Sequence, residues 1–308
     1  MPTPSDANKK RSQSTYFVQD RHNKEELTWL IIQEQMLTKS MGGTLPEQDD
    51  PASFSRVLDV ACGPGGWVID TARSYPGMKL VGIDINVKII EYAPERAKAE
   101  QVLERVEFKK MDALAGMAFE PASFDLVNMR LAVSFVRTWD WPALLSEFQR
   151  VTRDGGVIRL TEADIAEGNS SALMELNNFL KQAFYHAGNF FAFQNDGLSS
   201  QLAPLLIRHG LENVQTRAHK FVYSASTPEG QQFIKNMQPL YRTVQPFIQK
   251  WMHAPNDYNI IYQHALKEME SVNFQATWNF VTAWGTNVEH REEMLLEACD
   301  IDTIPYQE

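Results

Sequence analysis

The segment LDVACGPGGW, residues 58–67, constrains the fold more than any other part of the chain. A short apolar run, RVLDVA (56–61), ends abruptly in Gly63, Gly65 and Gly66. Apolar residues without alternation indicate a strand buried on both faces, the pattern of parallel sheets covered by helices. The glycines mark a turn that brings the backbone close to another group. A helix starting just after such a turn presents free N–H groups and a positive dipole end to the same space.

The rest of the chain repeats this design. KLVGIDI (79–85), VEFKKMDA (106–113), FDLVNM (124–129) and GVIRLTE (156–162) are further apolar runs. They are separated by helical stretches, which predicts βαβ units with right-handed crossovers. One helix is expected over 141–152, with Pro142 in its first turn and Leu144, Leu145, Phe148 and Val151 inward. Pro94 predicts a break near Ala93-Pro94. A helix at 23–41 precedes the first strand, and ENVQTRAHKFVYSA (212–225) reads as a sixth strand. The alternation of Phe274, Ala276, Trp278 and Phe280 within 274–284 predicts a seventh. Helices are expected in 165–196, over 228–251 and over 257–270, with Pro239 and Pro246 expected to kink or split the second of these. They read as covers on one sheet.

Composition narrows the function. The 308 residues carry a net charge of −10 and no basic run longer than Lys9-Lys10-Arg11. Nucleic acid is therefore a poor partner, since binding it requires concentrated positive charge. No apolar run reaches the roughly 18 residues of a membrane span. The polar start MPTPSDANKKRSQ lacks the apolar stretch of a secretory signal. With only Cys62 and Cys299, a reduced, cytoplasmic protein is the expectation. H-E-x-x-H and C-x-x-C are both absent, so no metal is assigned.

Two ligand classes use a glycine turn of this kind. Dinucleotide-binding oxidoreductases carry G-x-G-x-x-G. Gly63 and Gly65 fit that pattern, but Val68 stands at the third place. The alternative is D-x-G-x-G-x-G, whose places Asp59, Ala61, Gly63 and Gly65 occupy, Ala61 replacing a glycine. On these residues the chain resembles the class I S-adenosylmethionine-dependent methyltransferases. The string DVACGPGG resembles the small-molecule branch that includes the quinone-biosynthesis enzymes. The resemblance implies a Rossmann-like doubly wound α/β sheet of seven strands, ordered 3-2-1-4-5-7-6, the last strand antiparallel beside strand five. It implies S-adenosylmethionine bound by Asp59, Ala61, Cys62, Gly63 and Gly65 at the first turn. Asp84 would take the ribose hydroxyls, Ile85 would pack on the adenine, and Asp112 and Ala113 would read its edge. Asn128 and Arg130 would line the methionine part. It covers residues 56–162 well, and the rest in layout only. The expected organisation is an arm and cover helix over 1–50, a cofactor-binding core over 51–164, cover insertions with the last two strands over 165–288, and an acidic tail over 289–308.

Methyl transfer from a sulfonium is an in-line displacement with a neutral leaving group, so positioning removes much of the barrier. A base is needed only where the nucleophile must lose a proton. Glu162 and Asp164 sit at the carboxyl end of strand five; Glu162, and His186 in the aromatic segment 170–193, are the candidate bases, and Tyr16, His22 and Arg130 are weaker ones. Residues 14–45 and 165–196, the second rich in aromatic side chains, are expected to close over the cofactor and form the pocket of a small, apolar or aromatic acceptor. The same helices could equally pair two chains as a homodimer. An NAD(P)-dependent oxidoreductase and a non-enzymatic binding protein on the same fold remain the alternatives.

Overall fold

The computed structural model describes residues 24–192, 197–252 and 257–288. The N-terminal arm up to residue 23, including Tyr16 and His22, and the acidic tail from residue 289 lie outside them. Helix α1 (Lys24–Met41) leads into β1 (Arg56–Val60), α2 (Gly66–Ser74) and β2 (Lys79–Asp84). Two short helices, α3 (Val87–Ile90) and α4 (Ala93–Ala99), precede β3 (Val106–Lys110). The break falls at residues 91–92, and Pro94 sits in the first turn of α4, where its missing N–H costs nothing. Then follow β4 (Phe124–Arg130), α5 (Trp141–Val151), β5 (Thr152–Ala163) and β6 (Glu167–Gly168). The chain continues through α6 (Ser171–Ala187), α7 (Leu202–Arg208), β7 (Glu212–Ser224), α8 (Pro228–Trp251), α9 (Tyr258–Met269) and β8 (Gln275–Thr286).

The strands form one sheet in which β3, β2, β1, β4 and β5 are parallel neighbours. β8 lies antiparallel between β5 and β7, with Leu160 opposite Ala283 on one side and Thr216 opposite Ala283 on the other. The expected order is thus observed, with one addition. The two-residue β6 pairs with Thr277 and Ala276 of β8, continuing the line of β5. The apolar runs became buried strands as the pattern required: Val57, Leu58 and Val60 of β1 are all sealed from solvent.

Helices cover both faces. α5 and α7 pack Leu144, Phe148, Leu202 and Leu206 against one face. α2 and α4 pack Trp67, Val68 and Ala97 against the other. A third apolar cluster joins α1, α6, α8 and α9 to the β8 end of the sheet, through Leu37, Leu176, Phe247, Ala265 and Trp278 among others. The Trp67 indole N–H donates to the carbonyl of Thr44 (3.0 Å), tying the segment after α1 to α2. Helix α8 is continuous, so the expected split does not occur: Pro239 and Pro246 lie inside it. Its inward side chains, including Phe233, Tyr241 and Phe247, are buried in the cover cluster, which outweighs two missing hydrogen bonds.

Candidate functional site

A cleft of about 860 Å³ opens at the carboxyl ends of β1, β2, β4 and β5. Its polar half is built from the first glycine turn. Leaving β1, the chain passes through Ala61 at φ +57°, Gly63 at φ +53° and Gly65 at φ +78°. These left-handed conformations explain why glycine suits the turn and why Ala61 holds it under strain of about 1–2 kcal/mol. Gly63 lines the cleft, whereas Gly65 does not. A Cβ on Gly65 would lie 2.6 Å from the Phe108 ring and 3.0 Å from Ala93, so this glycine serves packing beneath the turn.

Asp84 closes the turn from the next strand. Its carboxylate accepts the Gly63 N–H (3.0 Å) and the Asn86 N–H (2.7 Å). Asn86, not Asp84, caps the following helix, by accepting from Lys88. Ile85 lies on the cleft wall with 45% of its surface exposed. Asp112 and Ala113 line the same side, the Asp112 carboxylate accepting the Leu114 N–H (3.0 Å). Cys62 also lines the cleft and is buried.

Asp59 stands beneath the turn, 3% exposed. Burial pushes its pKa up to about 6, against the pull of Arg130 and of its hydrogen bond to Asn128. Asn128 is wholly buried below the cleft floor and acts through others. Its amide donates to Asp59 (2.7 Å) and its carbonyl accepts from Arg159 (2.7 Å). Arg159 in turn grips Glu47 (2.6 and 3.2 Å), with both side chains 1% exposed. A buried chain Glu47–Arg159–Asn128–Asp59 thus runs from the loop after α1 across β5 and β4 to β1.

Two charged residues complete this half. Arg130, at the end of β4, lines the cleft near Asp59 and Glu34. Burial lowers its pKa, while the two acids raise it. Among the described residues its guanidinium makes no hydrogen bond or close ion pair. Glu34, from α1, was not expected at this site. Its carboxylate accepts the Gly66 N–H with both oxygens (3.2 Å each) and pairs with Arg96 (3.3 Å). Burial raises its pKa to about 7, opposed by Arg96 and Arg130.

The other half of the cleft is apolar. Trp29 and Leu37 come from α1, Leu131 and Val133 follow β4, Phe184 comes from α6, Val244 from α8 and Trp278 from β8. Asp164 also lines the cleft; its carboxylate accepts from the Ser199 hydroxyl. Arg137, buried, also lines the cleft, with its guanidinium 5.3 Å from Trp139 and 5.8 Å from Trp251.

The two candidate bases lie elsewhere. Glu162 is 1% exposed and does not line the cleft. It accepts the Ala132 N–H from below the turn in which Leu131 adopts φ +59°. Burial raises its pKa to about 8, against the Ala132 and Val133 N–H groups. His186 is exposed at the end of α6, beside Tyr185 and away from the cleft. No group of three or more metal-ligating side chains occurs among the described residues. No described helix is long and apolar enough to cross a membrane.

Residues 57–156 match the family described as Methyltransferase domain. A demethylmenaquinone methyltransferase of Deinococcus radiodurans is 35% identical over 107 residues, 35% of this chain and 42% of that protein. An uncharacterized methyltransferase of Schizosaccharomyces pombe is 28% identical over 114 residues, 36% of this chain and 40% of that one. The chain therefore spans about two fifths of the length of these relatives. Among solved structures, a phosphoethanolamine N-methyltransferase of Haemonchus contortus, in complex with phosphomonomethylethanolamine and S-adenosylhomocysteine, superposes with a TM-score of 0.52 at 19% identity. It covers 90% of this chain and 61% of its own. That likeness concerns the fold.

Proposed function

We propose, from the premise that residues 57–156 form a class I S-adenosylmethionine-dependent methyltransferase domain, that the chain methylates O, N or C of a small, apolar or aromatic acceptor. The observation that carries this reading is one continuous cleft with a glycine-and-acid half and an apolar half. The polar half suits the cofactor. The exposed Ile85 face, with Asp112 and Ala113 beside it, suits a purine, and Asp84 suits a ribose diol. Arg130, without a hydrogen-bonded partner among the described residues, suits the carboxylate of an amino acid. Asp59 and Glu34 offset the positive charges of the ligand.

S-adenosylmethionine, when bound, supplies an activated methyl group. This chain's residues hold the reacting groups in line and exclude water, which needs no metal or nucleophile of their own. Trp29, Phe184, Val244 and Trp278 would hold the acceptor by apolar contact. Where the acceptor must lose a proton, Asp164, which lines the cleft, would take it. Glu162 would instead brace the Leu131–Ala132 turn from below, and His186 would take no part.

The test is an acceptor screen with S-adenosylmethionine labelled in its methyl group, beside thermal shifts with S-adenosylhomocysteine and NAD(P). A ligand at 100 times its dissociation constant stabilises by about 2.7 kcal/mol. Stabilisation by NAD(P) alone would turn the reading to the oxidoreductase. Stabilisation by S-adenosylhomocysteine without turnover on any acceptor would favour the non-enzymatic alternative.

A further inference from the structure

We propose that Glu34 binds the α-ammonium of the cofactor's methionine part while Arg130 binds its α-carboxylate, so that the ligand itself fastens cover helix α1 over the cleft. The inference rests on the cofactor reading above and adds the way the two charges of the amino-acid end are told apart.

Three observations carry it. First, Glu34 lies directly over the glycine turn. One of its oxygens is 3.6 Å from where a Cβ on Gly63 would stand, and a Cβ on Gly66 would strike the carboxylate at 2.2 Å. A ligand seated over Gly63 meets this carboxylate. Second, the N-terminus of α2, the usual place for an anion, is already taken: both Glu34 oxygens accept the Gly66 N–H. The ligand's own carboxylate is therefore repelled from that end. Third, Arg130 lines the same cleft and makes no hydrogen bond or close ion pair among the described residues, so an anion is drawn there instead. The zwitterion is thus oriented by charge alone, ammonium toward Glu34 and carboxylate toward Arg130. Arg96 keeps Glu34 in place from behind, bridging it to the Pro64 carbonyl (3.3 and 2.7 Å).

Glu34 is carried by α1, whereas every other proposed cofactor contact is on the sheet or its loops. Occupation of the polar half should therefore hold α1 down, and with it Trp29 and Leu37, which line the acceptor half. The cofactor would complete the acceptor wall.

Calorimetry with three ligands tests this. S-adenosylhomocysteine has both charges, decarboxylated S-adenosylmethionine keeps only the ammonium of the amino-acid end, and 5′-methylthioadenosine has neither. Glu34→Gln should weaken the first two by roughly 10- to 100-fold, the loss of a charged hydrogen bond, and leave 5′-methylthioadenosine within about twofold. Arg130→Gln should weaken S-adenosylhomocysteine alone. Hydrogen exchange should show α1 protected by S-adenosylhomocysteine in the native protein and much less in Glu34→Gln. Equal weakening of all three ligands by Glu34→Gln would mean that Glu34 only shapes the turn, and would overturn the proposal, as would unchanged affinity for S-adenosylhomocysteine. If the native protein bound none of the three, the cofactor reading itself would fall.

Discussion

Replacing Glu47 by glutamine tests whether the buried ionic chain under the cleft holds the fold together. The Glu47 carboxylate grips Arg159 through two hydrogen bonds, of 2.6 and 3.2 Å, and both side chains are 1% exposed. Burial works against the Glu47 charge, yet Arg159 holds its carboxyl below the usual carboxylate range. Glutamine preserves the shape and one acceptor but turns an N–H₂ toward the guanidinium. It also leaves the Arg159 charge buried without its counter-charge. Breaking a buried pair on one side costs about 3–5 kcal/mol; the retained acceptor places this variant near the lower end, about 3 kcal/mol. A domain of this size shifts by about 2–4 °C per kcal/mol, so the melting temperature should fall by about 6–12 °C. Circular dichroism melts and urea midpoints at neutral pH measure it. The double variant Glu47→Leu, Arg159→Met should regain part of the loss, because it removes the stranded charge together with its partner. A loss below about 1 kcal/mol in Glu47→Gln would refute the reasoning, since it would mean that water reaches Arg159.

Other expectations follow from single groups. The Glu162 pKa is about 8 in the fold against about 4.5 in an open chain, so the folded state holds the extra proton between these values and stability falls as pH rises from 4.5 toward 8. Glu162→Gln should remove that decline, and equal urea midpoints for variant and native protein at pH 9, after normalising to pH 5, would contradict it. Ala61→Gly should stabilise by about 0.5–1 kcal/mol, the relief of about 1–2 kcal/mol at φ +57° less the entropy cost of glycine; a destabilised variant would show that the Ala61 methyl packs productively. Asp84→Ala should lower S-adenosylhomocysteine affinity by roughly 10- to 100-fold, and unchanged binding by calorimetry would remove it from the ribose role.

The sheet was legible because its strands declare themselves locally. Apolar runs of five or six residues between helical stretches have few other uses, and the alternation of 274–284 identified a strand of different character. The positions of the glycine turn and Asp84 were legible from chain direction: both sit where a parallel strand ends. Glu34 was not legible. It lies on the polar side of an amphipathic helix, where a solvated carboxylate is the ordinary reading, and only tertiary docking of α1 brings it to Gly66. Glu162 was expected at the cleft but lies beneath it, for a related reason. Its place at a strand end suggested the cleft, but β5 runs one residue further and the left-handed Leu131 turn folds across it. Asn128 was expected to line the site, whereas it points into the buried chain that ends at Asp59. Pro239 and Pro246 show the converse, packing holding against a local tendency: the inward face of α8 contributes enough burial to carry two prolines without splitting the helix.

The place of β8 bears on how the protein is made. This strand is the last described element, yet it supplies the partner on both sides, for β5 and for β7. During synthesis the five parallel strands can pair as they emerge. β5 and β7 must then wait, each with a free edge, until residues 275–286 leave the ribosome. Free edges invite pairing with other chains, and contacts between segments so far apart in sequence form slowly. A message truncated before residue 275 should therefore yield a product that aggregates rather than a smaller working domain, and Trp278, which lines the apolar half of the cleft, would arrive only with β8.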